Sequence, residues 1–147
     1  MKAKIAKKIS FLMVTLVLAT FSFCTTTSAA MIGSDSVSSS VYGTATTGNL
    51  TVYDTYAYAT TSYAQSGSNI AISVAINAKY VSGGRDLYLH DYNDSTGGGA
   101  TAQVELSMDQ NPNAVFLEVD GSHEVRNYVN GMLLTSGHWL DSTHWVR

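Results

Sequence analysis

Two His-Trp pairs, His138-Trp139 and His144-Trp145, lie six residues apart near the end of this 147-residue chain. On a β-strand, an even spacing places both histidines on one face and both tryptophans on the other. An indole ring packs against the apolar face of a sugar while its N–H still donates a hydrogen bond, so Trp139 and Trp145 are candidate ligand-binding residues. The simpler interpretation is that the tryptophans close the end of a hydrophobic core. The histidines would lie roughly 20 Å apart, too far to share one metal ion without a bend in the strand.

The nine tyrosines of the chain are a second candidate binding signal. Tyrosine offers a large rigid ring with a polar tip, which suits exposed binding surfaces, and it is also a good strand former. Tyr56 and Tyr58 alternate with Ala57 and Ala59, so the pattern predicts a strand with both rings on one face. We predict Tyr56 and Tyr58 as ligand-binding residues, with plain stabilisation of the sheet as the alternative.

Three oxygen-bearing side chains, Asp91, Asn93 and Asp94, fall within four positions beside a glycine-rich segment. Calcium binds clusters of hard oxygen ligands, so these residues are a candidate calcium site, and calcium is the only cofactor that the sequence suggests. The segment departs from the EF-hand pattern, because the sixth position is Thr96 and the twelfth is Ala102. An ordinary connection between strands is the alternative, since Asx residues beside glycine are common in turns.

Catalytic signatures are weak in this sequence. Ser122-His123-Glu124 and His90-Asp91 contain the residue types of a hydrolase, but neighbouring residues on a strand point to opposite faces. No serine lies in a Gly-x-Ser-x-Gly motif. Carboxylates such as those of Glu105 and Glu118 could be paired for glycoside cleavage, but any acidic β-protein offers such pairs. The sequence therefore predicts a non-enzymatic protein without catalytic residues.

The first 30 residues have the pattern of a secretory signal peptide. Four lysines within residues 2–8 precede an apolar run at residues 9–23, and Ser28-Ala29-Ala30 supplies the small residues of a cleavage site. The apolar run is shorter than the roughly 20 residues of a membrane-spanning helix, which favours cleavage over a retained anchor. Lipidation at Cys24 is disfavoured because the bulky Phe23 precedes it. We therefore expect a secreted, extracellular protein with no stable membrane anchor after cleavage.

Removal of residues 1–30 would leave an acidic chain without cysteine. All 11 acidic residues follow residue 30, whereas only four of the eight basic residues do, so the remaining chain has a net charge of −7. The four basic residues are scattered and form no stripe that would neutralise phosphates, so nucleic acid is not an expected partner. Without disulfides, the domain must be held together by its own hydrophobic core.

The rest of the sequence predicts one all-β domain. Residues 31–40 are rich in serine and are expected to form a flexible N-terminal segment, followed by the folded domain at residues 41–147. The clearest strand covers residues 70–81, where apolar side chains alternate with small or polar ones, and its low charge favours a central position in a sheet. About eight or nine short strands recur at intervals of roughly ten residues, which predicts a single antiparallel β-sandwich.

Turn-forming residues predict how some of these strands are connected. Thr47-Gly48-Asn49 is expected to be a turn, and residues 56–64 are expected to pair with residues 70–81 as a hairpin. Residues 93–99 are expected to form a glycine-rich loop. Asn130-Gly131 predicts a tight hairpin, because both residues tolerate positive φ.

These observations favour an extracellular binding module for a carbohydrate or another cell-surface ligand. In organisation alone, a signal peptide followed by a Gly/Ser/Thr/Tyr-rich, cysteine-free β-chain is similar to the small lactococcin-972-like bacteriocins, which implies an antagonistic protein as an alternative. The length of the remaining chain and its charge of −7 depart from that pattern. Self-association through strand edges, giving a surface layer or matrix, is the other alternative.

Overall fold

The computed structural model of the chain describes residues 29–65, 67, 69–96, 101–108 and 113–147, and these residues form eight antiparallel strands. Most of the expected signal peptide, residues 1–28, therefore lies outside the described residues. Within the described part, no helix has the length and apolar character needed to cross a membrane. The strands are β1 (Met31–Val41), β2 (Thr44–Tyr53), β3 (Tyr56–Tyr63), β4 (Ile70–Ser82), β5 (Arg85–Thr96), β6 (Thr101–Ser107), β7 (Val115–Val129) and β8 (Met132–Val146).

The strands form two four-stranded antiparallel sheets that pack face to face, which confirms the predicted β-sandwich. The first sheet has the order β1-β2-β3-β6, and the second has the order β5-β4-β7-β8. The strand predicted with most regularity, β4, lies in the middle of the second sheet between β5 and β7, as expected. Its residues Ile72, Val74 and Ile76 are at most 1% exposed and pack into the core between the sheets.

The serine-rich segment at residues 31–40 belongs to a strand, which differs from the flexible segment expected from its composition. It forms β1 and pairs with β2 from Val41 opposite Thr44 to Met31 opposite Tyr53, with one irregularity between Met31 and Gly33. Val37 packs against the core, whereas the neighbouring serines are exposed. Backbone pairing needs no bulky side chains, so a segment with few apolar residues can still complete the edge of a sheet.

Two of the predicted connections between strands are wrong. Tyr42-Gly43, with φ of 51° and 73°, makes the turn between β1 and β2, and Gly48 lies inside β2. The chain crosses from the first sheet to the second between β3 and β4, so residues 56–64 and 70–81 do not pair with each other. The Asn130-Gly131 hairpin is confirmed, with φ of 51° and 78°.

One histidine lies in the centre of the core. His123 on β7 has no exposed surface; its Nδ1 is 3.0 Å from the Thr61 hydroxyl, and its Nε2 is 2.9 Å from the Thr143 hydroxyl. Burial lowers the pKa of His123 from 6.5 to about 4, so the ring is neutral at pH 7, with one nitrogen donating and the other accepting. Because Thr61 is on β3 and Thr143 is on β8, this polar bridge joins the two sheets.

The glycine at position 48 makes room for that ring. A Cβ atom on Gly48 would lie 2.3 Å from Cγ of His123 and 2.8 Å from its Nδ1. A Cβ atom cannot approach non-bonded atoms that closely unless one of them is displaced. A glycine that resembled a turn residue in the sequence therefore serves as a packing residue within a strand.

Candidate functional site

Three tyrosines form a stack on the outer face of the first sheet. Tyr56 and Tyr58 alternate along β3 with Ala57 and Ala59, which are fully buried, so both rings point away from the core. The ring of Tyr53, at the end of β2, lies 4.4 Å from the ring of Tyr56 and is inclined to it by 12°. It also stacks against Tyr58 at 6.1 Å. The structure thus brings the predicted pair together and adds Tyr53.

Tyr53 could have been found from the sequence. Asp54-Thr55 connects β2 to β3, which places Tyr53 beside Tyr56 on the same face of two antiparallel strands. Sequence reasoning assigned the strand pairing differently and therefore did not group the three rings. The relevant signal is the spacing Tyr-x-x-Tyr-x-Tyr across a two-residue connection.

The stack holds three phenol rings against one another. All three side chains are half-buried, and stacking restricts the rotamers that each ring can adopt. Partial burial, together with the adjacent Tyr56 and Tyr58 phenols, raises the pKa of Tyr53 above its ordinary value. The cluster therefore offers hydroxyl groups and ring surface that are preorganised for binding a ligand.

Polar, mostly uncharged side chains surround this stack. We call the outward side chains of β1, β2, β3 and β6 the tyrosine face. Besides the three tyrosines, Ala45 and the exposed Met31, which is opposite Tyr53, its members are Ser34, Ser36, Ser38, Ser40, Thr47, Asn49, Thr51, Thr60, Ser62, Thr101, Gln103, Glu105 and Ser107. Of these side chains, all of which belong to described strands, only Glu105 is charged at pH 7.

Cross-strand pairing arranges the polar groups of the tyrosine face in rows. Asn49 is opposite Thr60, which is opposite Gln103, and Thr51 is opposite Tyr58 in the adjacent row. Directly opposite side chains in a sheet lie about 5 Å apart at Cβ. The face is therefore a closely spaced array of hydroxyl and amide groups with an aromatic cluster at one end.

The two candidate tryptophans lie on the inner face of β8, so they do not form an exposed platform. Trp139 is 9% exposed and belongs to the hydrophobic core. Trp145 is partly buried and packs over Gly33 of β1, where a Cβ atom would collide with the indole ring. As the even spacing predicts, His138 and His144 lie on the opposite, outer face. The tryptophans therefore close the core, which was the simpler of the two interpretations.

The three candidate calcium ligands lie within β5 and do not converge. Alternation on the strand separates Asp94 from Asp91 and Asn93. Asn93 donates a hydrogen bond to the backbone oxygen of Gln103 at 2.7 Å, and Asp94 lies 3.3 Å from the guanidinium of Arg126. The loop expected at residues 93–99 does not begin at Asn93, because β5 continues to Thr96; residues 97–100 lie outside the described part.

Histidine and carboxylate side chains meet at two places on the outer face of the second sheet. Nε2 of His138 lies 2.9 Å from Glu124, and Nδ1 of His144 lies 2.5 Å from Asp120. The hydrogen bond to Asp120 raises the pKa of His144. Sequence reasoning compared the two histidines with each other, whereas each has its partner on the adjacent strand β7.

Comparisons with protein-family models, with curated proteins and with solved structures each find no match for this chain.

Proposed function

We propose that the protein is a non-enzymatic, secreted binding module that holds a neutral carbohydrate polymer on the tyrosine face. The observation that carries this proposal is the stack of Tyr53, Tyr56 and Tyr58 beside rows of uncharged hydroxyl and amide groups. Secretion is supported by the signal-like pattern of residues 1–30.

The chemistry of the tyrosine face matches that of a neutral sugar. Sugar rings present C–H groups that pack on aromatic surfaces and hydroxyls that both donate and accept hydrogen bonds. Thr60, Asn49 and Gln103 supply the matching donors and acceptors in a single row. Since the rings are already stacked, binding costs little additional side-chain entropy.

Charge supports a neutral ligand over an anionic one. The chain after residue 30 has a net charge of −7, and an anionic polymer would be repelled by it. The tyrosine face contributes only one of these charges, at Glu105. An uncharged polymer therefore meets neither strong repulsion nor the cost of desolvating many charges there.

The test is retention of the purified protein on insoluble neutral polysaccharides such as cellulose, chitin and starch. Tyr58→Ala and Tyr53→Ala are expected to lower the affinity for the retaining polysaccharide at least about tenfold, as loss of an aromatic anchor does in other interfaces. Depletion isotherms, in which unbound protein is measured against polysaccharide concentration, give this ratio directly.

Tyr88→Ala is the matched control. Tyr88 is 73% exposed, but it lies on β5 in the other sheet, so its removal is expected to leave retention unchanged. Equal losses for Tyr58→Ala and Tyr88→Ala, or no retention of the wild type on any of the polymers, would contradict the proposed function. Sedimentation velocity on the same samples detects large assemblies, which would favour self-association instead.

A further inference from the structure

Glu118, Asp120 and His144 form a compact cluster on the outer face of the second sheet, away from the tyrosine face. One donor atom from each side chain lies within 4.8 Å of the donors of the other two. Glu118 and Asp120 are two residues apart on β7 and so share a face, and His144 is directly opposite Asp120 on β8. We propose that this cluster binds a divalent transition-metal ion, with zinc as the representative.

The donor set favours a transition metal over calcium. Calcium takes six to eight oxygen ligands, whereas zinc, cobalt and nickel accept an imidazole nitrogen together with carboxylate oxygens. A zinc ion with ligands at about 2.0–2.2 Å needs donors roughly 3–3.5 Å apart. Nδ1 of His144 and Oδ1 of Asp120, now 2.5 Å apart, must separate slightly, which exposed side chains can do by small rotations.

A hydrogen bond from another strand fixes the backbone at the histidine. The backbone N–H of His144 donates to the carboxylate of Asp35 on β1 at 2.9 Å. This contact joins the edge of the second sheet to the first and adds a third carboxylate beside the imidazole. The cluster is therefore held on paired strands and surrounded by negative charge, both of which favour a bound cation.

The second histidine–carboxylate pair on the same face provides an internal comparison. Nε2 of His138 contacts Glu124 at 2.9 Å on the same two strands, but Nε of Arg126 lies 3.4 Å from the other carboxylate oxygen. A guanidinium ion there already compensates the carboxylate and repels another cation. At the proposed site, Lys79 is directly opposite Glu118 across the sheet, but its ammonium lies 2.8 Å from Asp86 and is paired there.

A groove adjoins the proposed site and leaves room for a further metal ligand. The groove has a volume of about 270 Å³, and Glu118 and Asp120 form part of its wall together with Asn77 and His90. An ion held by Glu118, Asp120 and His144 therefore sits at the rim. Three protein ligands leave at least one coordination position, which a water molecule or a small anionic ligand can fill.

The experiment is titration of the purified, tag-free protein with Zn²⁺ in the presence of a chromophoric zinc indicator. We expect one zinc ion per chain, and we expect His144→Gln and Asp120→Asn each to lower the affinity at least about tenfold. His138→Gln is the matched control and is expected to change it less than about twofold. Co²⁺ should bind at the same site and give a visible absorption band that His144→Gln abolishes.

The outcomes are distinguishable from misfolding and from non-specific binding. The side chains of His144 and Asp120 are 52% and 46% exposed, so the variants should retain the wild-type unfolding transition in urea. Unchanged zinc affinity in folded His144→Gln, or equal losses in His144→Gln and His138→Gln, would overturn the proposal. Excess millimolar Ca²⁺ should not displace the zinc; displacement would likewise contradict the assignment to a transition metal.

Discussion

Gly48→Ala is expected to lower the free energy of unfolding by about 3 kcal/mol, because the new Cβ atom would lie 2.3 Å from Cγ of the buried His123. To relieve this overlap, the imidazole must move away from the hydroxyls of Thr61 and Thr143, which it now contacts at 3.0 and 2.9 Å. Each weakened buried hydrogen bond adds to the steric cost. Urea denaturation followed by circular dichroism measures the loss.

Two further variants separate this mechanism from a general intolerance of the strand. Thr47→Ala changes the adjacent, outward-facing residue of β2 and is expected to cost less than about 1 kcal/mol. In the His123→Ala background the imidazole is absent, so adding Gly48→Ala should cost little, with a coupling of at least about 1 kcal/mol. Additive effects of the two substitutions would contradict the proposed packing.

Acidification is expected to destabilise the protein through His123. The pKa of this histidine falls from 6.5 in the unfolded chain to about 4 in the folded protein, chiefly because the ring is buried. Between these two pKa values, His123 is protonated in the unfolded chain and neutral in the folded protein. The contribution of His123 to the free energy of unfolding is therefore complete above pH 6.5 and declines as the pH falls toward 4. The total loss is about 3 kcal/mol.

His123→Gln isolates this contribution. Glutamine retains hydrogen-bonding groups between Thr61 and Thr143 but does not titrate, so its free energy of unfolding should depend less on pH between 7 and 4. The other ionisable side chains are the same in both proteins, so the difference between the two pH profiles reports the substitution at position 123. Parallel profiles for the wild type and His123→Gln would show that the buried ring is not the acid-sensitive group.

Local alternation was sufficient to predict the class of fold. The alternating residues of β4 identified a strand because a sheet with a buried face imposes a period of two, and the low charge of the segment indicated a central position. The pairing of strands was harder to predict, because the same residue type, glycine, can form a turn or make room for a neighbouring side chain. Gly48 shows this most clearly: the reason for the glycine is His123, which lies 75 positions further along the chain.

The candidate site was predictable only where its residues lie on one strand or beside one short connection. Tyr56 and Tyr58 were found from their spacing, and Tyr53 requires knowledge that β2 and β3 are neighbours. Trp139 and Trp145 could not be assigned to the inside or the outside from spacing alone, because an aromatic stripe suits both faces of a sandwich. The Glu118, Asp120 and His144 cluster depends on the β7–β8 register, which shifts at an irregularity between Arg126 and Tyr128 and therefore does not follow from the Asn130-Gly131 hairpin alone.

The most direct measurement of the central proposal is NMR mapping of the ligand-binding surface. A soluble oligosaccharide of the retaining polysaccharide is titrated into isotopically labelled protein, and amide and aromatic chemical shifts are followed. We predict that perturbations concentrate at Tyr53, Tyr56, Tyr58 and their neighbours Thr51 and Thr60 on the tyrosine face. Perturbations confined to the outer face of the second sheet, or an absence of any perturbation at saturating oligosaccharide, would contradict the proposal.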